Sequence, residues 1–581
     1  MVRRILILGV VLTALSVAAA GEDNAAGTRI LDTKSYWRVH ATLRPPVFGT
    51  ADDAGPDAQS IPLEYRKDPE TGKRKGIPIM PEGQPFLPWP DAGWMKPDFD
   101  DSGWWRDPGP FYGTTGKRPY GQVWCHGDPS GGAQPRALAL FCVRGKFTVT
   151  DPSKVTALKL NATFRGGLIV YLNGKEVHRA HMGSGKKGFD VLAEDYPPEA
   201  YTSKGNTLRI RKVGDVALPV SELRKGTNVL ALEIHRAALP QDKVKQNRRK
   251  MWSSVGLPDV RVEADGSGVV PNTTRPNGLQ VWNAASLESI FDTDYGEPHE
   301  RLLPIRIVGT PGGTFSGQVV VGSDAPIKGM SANIGPLKMK DRTLPAAGVE
   351  IFYPRPTSME KNNKVVLGGS RRFDALAETP AKEVAVKKLK KPVPGLGAVQ
   401  PVWVRAAIPR DAQPGTYTGT LSVRVESKTV SEIPVQVEVL DFRLPETRDF
   451  HTWVDFIQSP ETLAIRYKVP MWSDKHFELI GRTFRLLAGV GNKTLYIPLI
   501  CKTNLGNGES MMRWIEKKGG GYDHDFSVVE KYLDCALKCL LSDPGLPGVP
   551  AKMRDSSLPS RERAYTQEDR LVPVPLLIAA A

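Results

Sequence analysis

The chain has 581 residues, a formal net charge of +15, 40% hydrophobic residues and 24% charged residues. That length is too great for one hydrophobic core and implies about three domains. The composition is that of globular protein and excludes a disordered or fibrous chain.

The N-terminus gives the first signal. Arg3 and Arg4 precede an apolar run from Ile5 to Ala20, which closes on three alanines before Gly21-Glu22-Asp23. This is the order of a secretory signal peptide, so residues 1–20 are expected to be removed and the protein to be secreted or periplasmic. The run is short for a membrane anchor, and no later stretch is long and apolar enough to span, so no stable membrane span is expected after cleavage. The export signal argues against nucleic acid as a partner. The basic charge would suit an acidic polymer such as a sulfated or uronic polysaccharide, but it is scattered, and the preferred reading is a solvated surface. Its densest runs, Lys243–Lys250 and Lys387–Lys391, look like loops.

Five cysteines, Cys125, Cys142, Cys501, Cys535 and Cys539, make no disulfide scaffold, and no spacing suits zinc. Cys125 and Cys142 could pair in an oxidising compartment. Cys535 and Cys539, one helical turn apart, read as packing residues. No metal or cofactor is expected.

Residues 30–265 read as an all-β domain. Its strand-like runs are Ala139–Phe147, Val155–Leu160, Gly167–Leu172 and Asn228–His235. Asn173-Gly174 is a strong hairpin signal, because both residues tolerate positive φ. Between Phe86 and Trp124 lie five of the twelve tryptophans. A sugar-stacking platform is conceivable there, but the bland reading, rings plugging the ends of the sandwich, is preferred. Residues 266–278, rich in Gly, Pro, Asn and Thr, read as a linker.

Residues 279–446 read as a second β-sandwich. Phe315–Val321 looks like a buried strand. Leu421, Val423 and Val425, then Val435, Val437 and Val439, alternate with polar residues at the period of a half-buried antiparallel strand.

The period then changes. A strand over Phe450–Phe456 precedes a helix that starts at Ser473-Asp474, carries Phe477, Ile480, Phe484 and Leu487, and stops at Gly489. A strand follows over Thr494–Ile500, and Ser527-Val-Val-Glu530 reads as a capping box opening another helix. This order is how a (β/α) barrel begins. The fold class is thus multidomain and mainly β: a jelly-roll β-sandwich, a second β-sandwich, then the beginning of a TIM-type barrel over residues 447–538. Residues 539–581 carry six prolines and neither periodicity, and read as an aberrant or disordered tail.

Three stretches, Phe99-Asp-Asp-Ser-Gly-Trp104, Tyr171-Leu-Asn-Gly-Lys-Glu-Val177 and Lys225-Gly-Thr-Asn-Val-Leu-Ala231, resemble the galactose-binding-like jelly rolls that precede many glycoside hydrolases. Residues 279–538 resemble glycoside hydrolase family 123 and its uncharacterised relatives of the DUF-4091 kind. The carrying residues are Pro409–Leu421, Val439–Pro445, Trp472–His476, Trp514, Tyr522-Asp523 and Asp525-Phe526. The resemblance implies hydrolysis of a terminal N-acetylgalactosaminide, with the substrate's own acetamido oxygen as nucleophile and an adjacent Asp-Glu pair to orient it and protonate the leaving group. The sequence has no Asp-Glu dipeptide; the reversed pair begins at Glu22, Glu194 and Glu568. No catalytic residue is therefore assigned, and the break in character after Lys538 is read as a frameshift or gene-model error, with a divergent but genuine C-terminus as the alternative.

Barrel ligands gather at the C-terminal ends of strands. On that rule Asp455 and Gln458 follow the first strand, Lys502 and Asn504 the second, and Trp472 and Trp514 lie on connecting segments. Asp455, Gln458, Trp472, Asn504 and Trp514 are the expected substrate-binding residues. His476, in a helical first turn, reads as solvated or packing rather than catalytic. The expected partner is an oligo- or polysaccharide or a glycoconjugate. The competing reading is a non-catalytic glycan-binding or adhesion protein.

Overall fold

The computed structural model describes residues 27–44, 47–50, 55–56, 63–67, 74–78, 88–111, 138–183, 188–201, 207–238, 255–345, 348–356, 371–389, 395–452, 454–492, 494–502, 507–540 and 577–580. The described chain is mainly β, in several sheets, and divides into two compact units. The first comprises residues 1–308, 314–407 and 415–438, and the second 309–313, 408–414 and 439–581.

The first unit opens with strands β1 (Thr28–Asp32), β2 (Tyr36–Leu43), β3 (Trp105–Pro108), β4 (Leu138–Val149), β5 (Val155–Arg165), β6 (Gly167–Leu172), β7 (Lys175–Ala180), β8 (Arg211–Ala217), β9 (Gly226–His235) and β10 (Gly256–Gly266). One sheet runs β1-β10-β5-β8. The other runs β7-β6-β9-β4-β2-β3, and Val269–Val270 adds to β4. The two sheets enclose one core, which holds Trp37, Phe141, Phe147, Phe164, Leu232 and Val262. The β6–β7 hairpin turns at Asn173 (φ 52°) and Gly174 (φ 90°), as the sequence predicts. Gly145 on β4 lies under Trp37; a Cβ there would sit 2.5 Å from the indole ring.

β4 is buried on both faces. Phe141, Val143 and Phe147 enter the inter-sheet core, while Leu140 and Cys142 meet Trp94, flanked by Trp89, Phe99 and Trp104. The aromatic segment therefore covers the outer face of a sheet, not the ends of the sandwich as expected. It is pinned there by Arg144, whose guanidinium donates to Asp101 Oδ2 (2.7 Å) and to the carbonyls of Trp94 and Lys96. Burial would raise the Asp101 carboxyl, but Lys146 and Arg144 outweigh it and hold it below the usual carboxylate range. Cys142 is a free, buried thiol, and Cys125, Phe86, Tyr112, Tyr120 and Trp124 lie outside the described residues. Residues 266–278 are packed rather than strung out: Asn272 and Arg275 are buried.

Strands β11 (Leu279–Ala284), β12 (Ile305–Gly309), β13 (Thr314–Ser323), β14 (Val349–Phe352), β15 (Ala398–Ala407), β16 (Gly415–Val425) and β17 (Lys428–Val439) form the second sandwich. One sheet runs β11-β13-β15-β14; the other runs β12-β17-β16 and continues into Leu337–Met339 and Arg342–Leu344. Alternation decides the faces. Gly317 on β13 approaches Ile305 and Ile307 of the opposite sheet, whereas Val320 points outward against Trp282 and Ile290. Leu421, Val423, Val435 and Val437 are fully buried, at the predicted spacing.

In the second unit, helices α1 (Pro460–Tyr467), α2 (Asp474–Gly489) and α3 (Ser527–Leu540) accompany strands β18 (Thr494–Ile497), β19 (Arg513–Glu516), β20 (Tyr522–Asp525) and β21 (Leu577–Ala580). Phe477, Ile480 and Phe484 of α2 pack against Tyr532 and Ala536 of α3 and Leu495 and Ile497 of β18. Gly481 admits Cys535 and Cys539, so the two thiols are packing residues; a Cβ would meet their sulfurs at 3.4 and 3.2 Å.

Three expectations need correcting here. The strand over Phe450–Phe456 is reduced to one parallel bridge, Val454 to Asn492, and the unpredicted α1 follows it; a barrel start is not established. The capping box at Ser527 is not formed. α3 begins at Ser527, the Glu530 N–H bonds to the Phe526 carbonyl, and Asp525 Oδ1 accepts the Ser527 N–H at 2.8 Å. Finally, the tail contributes β21, which pairs in parallel with β18.

Candidate functional site

The site is built by two helix starts. Ser459 caps α1, accepting the Thr462 N–H, and Pro460 takes the first helical position, where its missing N–H costs nothing. α1 stops at Lys468 in the left-handed region (φ 54°). The chain reverses through Pro470 to Trp472, also left-handed (φ 63°), a conformation that a bulky residue holds only when its surroundings enforce it. Ser473 then caps α2.

His476 does the enforcing. It is fully buried. Its Nδ1 accepts the Trp472 N–H at 2.9 Å, so the ring proton sits on Nε2, which donates to the Pro460 carbonyl at 2.8 Å. Both ring nitrogens are committed, which makes His476 a packing staple, one of its two expected readings. It joins the starts of α1 and α2 and fixes Trp472.

Trp472 lines a cleft of about 70 Å³ with Ile457, Gln458, Glu461, Tyr496, Asn507 and Glu509 among its walls. Its indole N–H donates to Glu509 Oε2 (3.0 Å), and Glu461 Oε2 accepts the Gly508 N–H (2.6 Å). Two carboxylates thus face a space with room for about two waters. The carboxylates can accept hydroxyl protons, and Trp472 supplies an aromatic wall.

The expected site residues fare differently. Trp472 lines the cleft. Asp455 is exposed and accepts the Tyr496 phenol proton at 2.8 Å, a bond that raises the phenol above its ordinary range. Gln458 reaches the cleft wall, but its amide is committed: it donates to the Ile480 carbonyl (3.2 Å) and accepts from Tyr532 Oη (2.9 Å). It anchors α2 to α3. Trp514 is half-exposed on the β19–β20 hairpin, edge-on to Tyr522 and His524, and is not among the cleft's lining residues. Asn504 lies outside the described residues. Sequence reasoning missed Glu461, Tyr496, Asn507 and Glu509. Ser459-Pro460, a cap followed by a first-position proline, was the available signal for α1 and hence for Glu461.

Comparisons with known proteins fit this region. The family model described as the glycoside hydrolase 123 catalytic domain matches residues 457–543, and that described as the glycoside hydrolase 123 N-terminal domain matches residues 307–425. The resemblance to glycoside hydrolase family 123 is thereby shown over these two segments, and the chain is a glycoside hydrolase-like protein. No curated protein matches it. Among solved structures, a family 123 glycoside hydrolase from Clostridium perfringens, described in terms of glycolipid glycan hydrolysis, is similar at 17% identity and TM-score 0.37, over 46% of each chain. A family 2 glycosyl hydrolase from Bacteroides cellulosilyticus is similar at 11% identity and TM-score 0.20, over 88% of this chain and 50% of its own. Bacteroides uniformis beta-glucuronidase 2 is similar at 12% identity and TM-score 0.18, over 78% and 44%. The chain spans about half the length of the solved structures it matches.

Proposed function

We propose that the protein acts on carbohydrate, and that the Trp472 cleft engages the terminal N-acetylhexosamine of a glycan. The observation that carries this is the catalytic-domain match over residues 457–543, which contains Trp472, Glu461 and Glu509. In this reading residues 447–538 are barrel-type scaffold, Trp472 stacks on the sugar, and Glu461 and Glu509 accept its hydroxyl protons. The residues of this chain hold no adjacent Asp-Glu pair, so the chain by itself binds the glycan without the substrate-assisted hydrolysis of N-acetylgalactosaminides that the resemblance implies. Export through the leader ending near Ala20 would place it with extracellular glycans.

The test is calorimetric titration of the full chain with an N-acetylgalactosamine-terminated oligosaccharide, beside turnover of 4-nitrophenyl N-acetyl-β-galactosaminide. Saturable binding that Trp472→Ala weakens about tenfold, without turnover, is expected. Turnover by this chain would refute the non-hydrolytic reading, and binding indifferent to Trp472→Ala would refute the site. Mass analysis of exported protein should show a mature start near Gly21.

A further inference from the structure

A cavity in the first unit lies outside the sandwich cores. It measures about 1510 Å³ and opens between β2, β3 and the Phe99–Trp104 segment on one side and residues 281–306 on the other. That exceeds the roughly 300–1,000 Å³ of an ordinary small-molecule pocket and suits an oligomer.

Its walls combine three features. The rim is apolar and open: Trp105, on the edge strand β3, is 45% exposed, and Leu287 is 96% exposed. The lining includes a buried indole N–H and a buried guanidinium. Arg106 and Trp282 are buried; among the described residues Trp282 Nε1 has no hydrogen-bond partner, while Arg106 Nε is ion-paired with Glu300 Oε2 at 3.7 Å. A buried donor left unmet costs about 1–3 kcal/mol, so the Trp282 N–H marks a place where a ligand oxygen would be stabilising. The lining also carries Glu288, whose Oε2 accepts, among the described residues, the Ala285 N–H at 3.2 Å. A carboxylate offers about four acceptor positions, and Arg106 and Arg38 act on this one through space.

Charge selects the ligand. Six basic and seven acidic side chains line the cavity, so it is near neutral although the chain is +15. A sulfated or uronic polymer would find no attraction here. Polyhydroxylated rings have apolar faces for Trp105 and Leu287, hydroxyl protons for Glu288 and ring or carbonyl oxygens for Trp282.

We propose that this cavity is a glycan-binding cleft that takes a neutral oligosaccharide segment, separate from the C-terminal unit. It stands without the reading of the Trp472 cleft, and a protein with both would hold a chain at one point and engage its terminus at another.

The test titrates the full chain calorimetrically with neutral oligosaccharides built of glucose, galactose and mannose, with a heparin fragment as the acidic counterpart. Expected is saturable binding of a neutral oligosaccharide, insensitive to salt. Trp105→Ala and Glu288→Gln should each weaken it about tenfold, Trp105→Tyr should restore most of it, and Trp514→Ala should leave it unchanged. Trp105 is a surface residue, so its variants should melt as the parent does. Failure of every neutral oligosaccharide to bind overturns the proposal. So does a preference for heparin with a steep salt slope, or loss of binding through Trp472→Ala or Trp514→Ala alone, which would move the glycan to the C-terminal unit.

Discussion

Glu288 offers the sharpest measurement. Burial pushes its carboxyl up to about 7; Arg106, the Ala285 N–H and Arg38 pull the other way, and Asp294 adds to the rise. In the unfolded chain the group ionises near 4.5. The native state therefore holds this proton more tightly than the unfolded state between about pH 4.5 and 7. Stability must fall as pH rises through that window, and the full cost is present above 7 and absent below 4.5. A gap of two to three pH units, at about 1.4 kcal/mol each, amounts to roughly 3 kcal/mol. Glu288→Gln keeps an oxygen for the Ala285 N–H and removes the charge. It should match the parent at pH 4.5 and exceed it by up to about 3 kcal/mol at pH 8. Denaturant unfolding followed by tryptophan fluorescence at the two pH values reads this difference. A variant whose advantage at pH 8 is within about 0.5 kcal/mol of that at pH 4.5 would refute the reasoning.

Other expectations follow from single contacts. Asp101→Asn leaves the Arg144 guanidinium buried without its carboxylate, for a loss of about 3–5 kcal/mol by denaturant unfolding. In the parent, the carboxyl held low by Lys146 and Arg144 stabilises the fold above about pH 4, and that contribution should vanish as pH falls further. Gly145→Ala drives a methyl into Trp37 and should cost about 1–3 kcal/mol, read as a lowered melting temperature. His476→Ala leaves the Trp472 N–H and Pro460 carbonyl unmet and opens a void. We expect a loss of about 2–4 kcal/mol in the second unit and faster hydrogen exchange at Trp472, while equal exchange would count against the staple. Ile465 and Leu486 are 69% and 74% exposed on α1 and α2. Replacing both with Lys should raise soluble yield with a stability change within about 0.5 kcal/mol, and an unchanged yield would mean the apolar surface is harmless.

The elements legible in the sequence are those governed by neighbours along the chain. Asn173-Gly174 turns a hairpin because two adjacent residues must accept positive φ. Leu421 and Val423, and Val435 and Val437, declare a buried face because a strand's side chains alternate whatever it packs against. Ser473 and Gly489 bracket α2 because caps act within one turn. What stayed hidden depends on residues distant in sequence. Nothing local says that Asp101 will reach Arg144 and lay the tryptophan segment over the outer face of a sheet. Nor does anything local say that His476 will tie Pro460 to Trp472, or that Gln458 will spend its amide on Ile480 and Tyr532 instead of a ligand. Of the expected residues, Gln458 and Trp472 line the cleft, and Asp455 instead holds the phenol of Tyr496. Glu461 and Glu509, 48 positions apart, face one cleft only because the turn after α1 brings Trp472 between them. The sequence by itself determined strands, helices, turns and the family they resemble, since those follow from periodicity and local backbone preference. Only the tertiary structure decided which charges are buried, which aromatic rings are covered and which N–H groups are left facing a cavity, because burial and pairing are properties of packed surfaces and have no local signature.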